Sequence, residues 1–187
     1  IEDRNATVEQ QLITEVNSGV MCFRADWLWE RVLQIVPNAA KGEYYLTDLV
    51  KTAVAEQGRG GAVAFQVADR REAWGINDRV QLAQAEAVMR ERILTALMRE
   101  GVTIVDPTTT YVDAGVVVGA DTTLLPGTMV RGASQIGRGC VIGPYTSIKD
   151  SVIGDDTYIT HASIENHRIE AEQRIGPFVH LEGEATS

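Results

Sequence analysis

Apolar residues recur every six positions along the C-terminal half of this sequence, at Val118, Leu124, Val130, Ile136, Ile142 and Ile148. Six fits neither the 3.6-residue turn of a helix nor the two-residue alternation of an ordinary strand. Two residues before each of the later five stands a small side chain: Thr122, Thr128, Ser134, Cys140 and Thr146. In extended chain, residues two apart share a face, so each unit sends one small and one branched residue inward. The places between hold Gly, Asp, Pro and Arg, which suit turns and solvent. Short strands with a turn every six residues predict a parallel β-helix of hexapeptide repeats, in which no strand buries its face until the next coil stacks on it. Each inward aliphatic should contribute roughly 1.5–3 kcal/mol once covered. The five-residue steps from Ile148 to Ile153 and from Ile159 to Ile164 are expected at corners, and the register returns at Ile175 and Leu181. An antiparallel sandwich is the alternative, and the run of consecutive matches counts against it.

Residues 1–76 read as α/β. The run 19–25 (GVMCFRA) is apolar enough for a buried strand, and 61–67 (GAVAFQV) for a second. Between them, 26–36 reads as a helix with Asp26 at its N-cap, Leu28, Val32 and Ile35 on one face, and Pro37 as its stop. A further helix is expected over 46–58, with Leu49, Ala53 and Val54 inward and Gly58 at its end. A long helix follows over 77–101, with Leu82, Ala85, Met89, Ile93, Ala96 and Leu97 on one stripe. Asp78 and Gln81 resemble a capping box, and Gly101 closes the helix. It would run about 30 Å. The expected organisation is therefore an α/β part (1–76), a linker helix (77–101) and a β-helix (102–187).

The net charge of −9 across 187 residues argues against nucleic acid, whose binders carry a basic face. No stretch approaches the ~20 apolar residues of a membrane span, and no signal peptide is visible at the start. The sequence opens on Ile1, which suggests a piece of something longer. Cys22 and Cys140 lie far apart and form no metal motif; they read as free, buried thiols in a reducing cytosol. His161, His167 and His180 all fall in the repeat with no acid and nucleophile arranged around them, and read as surface or corner residues.

Five stretches, VNSG (16–19), GEYYLTD (42–48), GINDRVQLAQAE (75–86), GVTIVDP (101–107) and IGPFVHL (175–181), occur in this order in one family. Through them the chain resembles the bifunctional bacterial N-acetylglucosamine-1-phosphate uridylyltransferase/glucosamine-1-phosphate N-acetyltransferases, over nearly its whole length. The resemblance implies the C-terminal half of a Rossmann-like sugar nucleotidyltransferase domain, a long linker helix, and a left-handed parallel β-helix that forms homotrimers. It implies synthesis of UDP-N-acetylglucosamine from UTP and N-acetylglucosamine 1-phosphate, with Mg²⁺, in the cytoplasm, feeding peptidoglycan and lipopolysaccharide synthesis. It also implies that a full-length parent uses acetyl-CoA to acetylate glucosamine 1-phosphate, although the sequence in hand leaves that activity open.

Carried over residue by residue, Asn17 matches the asparagine that holds the N-acetylglucosamine moiety, and Glu2 a glutamate on the same sugar. Tyr45 and Thr47 match residues lining the sugar-phosphate pocket, and Asn77 the asparagine that ligates Mg²⁺. Each has a plainer reading. Asn17-Ser18-Gly19 suits a turn, Thr47 suits a helix cap, Tyr45 suits a core, and Asn77-Asp78 suits a helix start.

The family's glycine-rich nucleotide loop and uridine-reading half have no counterpart in these residues. Nor do the later coils with the acetyltransferase histidine. Glu182 stands where the family places an arginine near the sugar phosphate. The resemblance therefore implies no catalytic residue here, and these 187 residues alone are expected to be inactive. Two alternatives stay open: a non-catalytic oligomerisation or regulatory module with a degenerate transferase domain, and another sugar-1-phosphate nucleotidyltransferase with a hexapeptide tail.

Overall fold

The computed structural model describes residues 7–13, 15, 17–38 and 42–183. They fall into two compact units, 1–75 and 76–187. In the first, α1 (Val8–Gln11) precedes α2 (Ala25–Arg31), which tightens into a 3₁₀ turn over Val32–Gln34, and α3 (Asp48–Gln57) follows. Helix α2 starts one residue before the expected cap. Arg24 occupies the N-cap and Asp26 sits in the first turn, its carboxylate held by the Arg24 guanidinium at 2.5 Å. The helices are tied by Glu56 of α3, whose carboxylate accepts from Trp27 Nε1 at 2.8 Å and Arg31 Nε at 2.7 Å. Those two donors hold its pKa below the usual carboxylate value. Leu49 and Ala53 are buried as expected, whereas Val54 is exposed.

The two strands expected in this unit do not form among the described residues. A strand exists only through hydrogen bonds to a neighbour, and neither 19–25 nor 61–67 finds one. Both runs remain apolar, unpaired chain, with Val20 and Phe65 turned out to solvent. Cys22, expected to be buried in the first of them, is exposed for the same reason.

The second unit opens with α4 (Arg79–Arg99). Asp78 is its N-cap and accepts from Gln81 N at 2.8 Å, while Gln81 Oε1 accepts from Asn77 N at 2.6 Å. Gly101, at φ +95°, lets the chain leave the helix. The buried face of α4 differs from the expected stripe. Leu94 and Leu97 are buried with Ile93 beside them, while Leu82, Met89 and Ala96 are exposed. Only the last turns of the helix meet the β-helix, and they sit over its open end, where Val102, Ile104 and Val112 begin the core. Arg90 lays its guanidinium 4.6 Å above the Tyr111 ring, a cation–π contact that fixes the helix against the first coil.

The rest is a left-handed parallel β-helix of about five turns. Fourteen short strands run from β1 (Thr103–Ile104) to β14 (Val179–Glu182). They form three parallel sheets in the order β1-β4-β7-β10-β13, β2-β5-β8-β11-β14 and β3-β6-β9-β12. Each expected inward aliphatic lies in register with the one a coil away. Ile104, Leu124, Ile142, Ile159 and Ile175 form one column. Val112, Val130, Ile148, Ile164 and Leu181 form the second, and Val118, Ile136, Ile153 and Ile169 the third.

The small residues two places earlier are all buried, and several bond across coils. Thr122 Oγ1 donates to Gly137 O at 2.8 Å and accepts from Cys140 N at 3.0 Å, and Ser134 Oγ accepts from Ser151 N at 3.3 Å. A small hydroxyl thus fits the narrow corner and satisfies backbone that would otherwise be buried unpaired. The short steps fall at corners, where Asp150 and His161 adopt positive φ. Glycine after the inward aliphatic has a separate cause. A Cβ on Gly119 would lie 2.7 Å from the backbone of Gly137 and Arg138 one coil on, so the coils approach too closely for any side chain.

Because Ile142 is fully buried in the middle of its column, Ile142→Asp should abolish the cooperative unfolding of the β-helix, as an unpaired carboxylate has no partner there. Ile142→Val should cost only about 0.5–1.5 kcal/mol. Circular dichroism melting curves check both, and an aspartate variant that melts like the wild type would rule out this core.

Candidate functional site

The expected site residues divide between the two units. Glu2 lies outside the described residues. In the first unit, Asn17 is exposed in a turn, and its Oδ1 accepts from Gly19 N at 3.0 Å. That contact is the turn expected of Asn-Ser-Gly, and it leaves the amide nitrogen of the side chain, with its two N–H groups, facing solvent. Tyr45 is half-buried and its hydroxyl donates to Glu43 Oε2 at 3.2 Å. Thr47 is the N-cap of α3, yet its hydroxyl makes no capping bond. The structure brings Tyr45 and Thr47 onto one turn. Asn17 belongs to a separate loop, with no hydrogen bond to either among the described residues.

The start of α3 is less open to a phosphate than a helix N-terminus usually is. The amides of Asp48, Leu49 and Val50 already donate to the carbonyls of Tyr45, Leu46 and Thr47 at 3.0–3.2 Å. Asp48 also puts a carboxylate in the first turn, paired with Lys51 at 2.6 Å. The donors left on this turn are hydroxyls, chiefly that of Thr47.

In the second unit Asn77 is exposed just ahead of α4. Asp78, not Asn77, does the capping, so the Asn77 carboxamide is not needed to start the helix. It offers one neutral oxygen. Among the described residues no three His, Cys, Asp or Glu side chains cluster as metal ligands. Mg²⁺ takes six oxygens, usually with at least one carboxylate, so the residues present do not make a magnesium site by themselves.

A feature that the sequence reading missed lies on the β-helix. At the corner between the first and second sheets, the rings of Tyr145, His161 and Phe178 stack one coil above another, with centroids 5.7 and 5.6 Å apart. Thr160 Oγ1 lies 2.8 Å from His161 Nδ1 and steadies the middle ring. The stack forms one wall of an open groove of about 540 Å³ whose floor is Met129, Ser147, Ser163 and His180. Its signal was the recurrence of Gly-Pro-aromatic at 143–145 and 176–178. The expectation that His161 is a corner residue holds, at φ +46°.

Next to the groove, Arg131, Lys149, Glu165 and Glu182 form one outward column. Lys149 pairs with Glu165 at 2.5 Å. Glu182 therefore stands beside a second carboxylate, and it lies 3.6 Å from His180 Nε2.

Residues 115–150 match the model of bacterial transferase hexapeptide (six repeats). Three curated relatives share the description "bifunctional protein GlmU". That of Halalkalibacterium halodurans is 44% identical over 97% of this chain, and that of Brevibacillus brevis 36% over 97%. That of Geotalea daltonii is 48% identical over 83%. Over the length it shares with them, this chain belongs to the GlmU family. It spans 39%, 39% and 34% of those three GlmU proteins respectively. Similarity covering 97% of this chain reaches beyond the repeat into the helices of the first unit, which a shared β-helix alone would not produce. No helix among the described residues is long and apolar enough to cross a membrane.

Cys140 fills one of the small inward slots, fully buried, with its thiol donating to Gly154 O at 3.2 Å. Burial pushes its pKa up, so at neutral pH it is a protonated, shielded thiol. A thiol reagent should therefore modify one cysteine per chain in native buffer, Cys22, and the second only in denaturant. Two fast-reacting thiols would mean that the coil at Cys140 opens.

Proposed function

We propose that the first unit, with Asn77, holds the sugar side of a uridylyltransferase that makes UDP-N-acetylglucosamine from UTP and N-acetylglucosamine 1-phosphate in the cytoplasm. The observation that carries this reading is the 44% identity to a GlmU protein along 97% of the chain. The reaction is in-line attack of a sugar-phosphate oxygen on the α-phosphorus of UTP, with pyrophosphate leaving. Catalysis of this kind is mostly positioning and charge stabilisation. The Asn17 amide nitrogen would donate to the acetamide or a sugar hydroxyl. The Thr47 and Tyr45 hydroxyls would meet the phosphate, and Glu2 the same sugar. Magnesium would receive a single oxygen from this chain, that of Asn77, and further donors from elsewhere.

The apolar runs at 19–25 and 61–67 support the view that the nucleotide-binding half completes this domain, since they lack cover among the described residues. Without that half the 187 residues should not turn over. Copies would associate as a homotrimer through the β-helix. Acetylation of glucosamine 1-phosphate from acetyl-CoA would belong to further coils.

A second reading, a non-catalytic oligomerisation or regulatory module, is favoured by two observations. Glu182 adds a negative charge beside Glu165 where the family places an arginine, and the amides at the start of α3 are occupied.

The test is to join these residues to the nucleotide-binding half of a GlmU relative and assay uridylyltransfer. Asn17→Ala should raise KM for the sugar phosphate about 3–10-fold, the worth of one neutral hydrogen bond. Asn77→Ala should mainly lower kcat. Wild-type kinetics in both variants would remove these assignments, and failure of the wild-type fusion to bind N-acetylglucosamine 1-phosphate would favour the module.

A further inference from the structure

The Tyr145–His161–Phe178 stack stands out from an otherwise polar outer surface. Phe178 is 86% exposed and Tyr145 71%, although both are held rigidly by the coil-to-coil backbone bonds Phe178 N to His161 O and His161 N to Pro144 O. Solvent does not favour an ordered aromatic ridge beside an open groove floored by Met129, Ser147, Ser163 and His180. Such patches mark interfaces. We infer that the ridge of each copy seats in the groove of the next, closing three copies of this chain into a ring whose axis runs parallel to the β-helix. This rests on the homotrimer reading above and assigns its contact surface.

Two features of the prism carry the argument. The first is spacing. The rungs of the ridge and the floor residues of the groove both repeat once per coil, because both are set by strands about 4.8 Å apart. Met129 pairs with Ser147, Ser147 with Ser163, and Ser163 with His180. A surface with that relief is matched rung by rung by another surface of the same repeat lying parallel to it. A second copy of this β-helix supplies one, whereas a globular partner or a flexible chain would meet one or two rungs and miss the rest.

The second feature is direction. The three sheets make a three-sided prism, and the ridge leaves it along a corner while the groove lies on the adjoining face. A corner and the face next to it point about 60° apart around the axis. A closed ring of three needs each subunit's two contact directions about 60° apart, the interior angle of its triangle. A two-fold pair would need ridge and groove to face the same way. Contact directions on opposite sides of the prism would build an open filament. The contact is therefore heterologous and closes at three.

Light scattering or sedimentation equilibrium on the full chain tests this, with far-UV circular dichroism confirming that each variant is folded. The wild type should have three times the 20.4 kDa chain mass. Tyr145→Glu with Phe178→Glu spoils the ridge, and Ser163→Arg, an outward residue of β11, fills the groove. Each variant alone should be a single copy. Mixed in equal amounts, they retain one sound ridge facing one sound groove, so the mixture should reach two copies and stop there. Val117→Glu, on the exposed face of the third sheet, should leave the three-copy mass unchanged.

A three-copy wild type indifferent to the ridge and groove variants would overturn the assigned surface and leave the trimer standing. A single-copy or two-copy wild type, a mixture that reassembles to three, or dissociation by Val117→Glu would overturn the ring itself. Sugar-phosphate binding is read separately, in the fusion protein, so either result is distinguishable from a failure of the enzymatic reading.

Discussion

In-register stacking of small and branched side chains inside the prism is the constraint on which the rest of this molecule depends. A two-residue strand has almost no stability of its own. It gains it because Leu124 lies on Ile142, and Ile142 on Ile159, with the same backbone bonds above and below. The hydroxyl corners make the stacking specific. Thr122, Ser134 and Thr157 each bond to backbone in the next coil, so a slip of one residue would bury those backbone groups unpaired. Close approach at Gly119 excludes side chains where the coils nearly touch. Volume, polarity and spacing therefore select one register. The lower end of the column, which would otherwise open to water, is sealed by Leu94 and Leu97 of α4.

The first unit shows what happens when that mutual cover is missing. Its sequence is as apolar as the repeat in places, and its α3 buries Leu49 and Ala53. Yet burial there would have to come from segments distant in sequence, as in any parallel sheet with crossover connections. The β-helix needs only the neighbouring coil, some 16 to 18 residues away. Local repetition thus gives a self-sufficient core to one part of the chain, while the other leaves Val63 and Phe65 in solvent. The division bears on function, because the sugar-binding residues of the proposed enzyme lie mostly in the part that must be completed from outside.

The legibility of the sequence follows the same division. Every inward column of the β-helix could be read from a six-residue period, because each coil imposes the same demand on the same positions. The cap at Asp78 was also legible, since capping is a local contact. The buried face of α4 was not. Periodicity sees a stripe of apolar residues, but which of Leu82, Met89, Leu94 and Leu97 are covered depends on where the end of the prism meets the helix. The helix start at Arg24, one residue ahead of the expected cap, turned on an ion pair with Asp26 that outweighed the usual preference. At Thr47 the residue type was read correctly as a cap position, but the hydroxyl does not cap. The strands at 19–25 and 61–67 failed for want of neighbours, which no propensity supplies. The aromatic stack was spelled out by two Gly-Pro-aromatic runs, yet their meeting in space depends on the number of residues per coil.

A β-helix also separates folding from recognition more cleanly than most architectures. Its inward columns are nearly invariant in kind, so they carry no information about partners. The outward columns are free to vary, and each one places its residues at fixed height and fixed angle. The column of Arg131, Lys149, Glu165 and Glu182 shows this freedom, with two positive charges giving way to two negative ones over four coils. Like charges on neighbouring strands cost stability, yet Glu165 and Glu182 sit side by side at the end of the column, with Lys149 neutralising only one of them. The core neither requires nor relieves that arrangement. What these carboxylates serve must therefore be sought outside the subunit, in whatever meets this face at the height of β11 and β14.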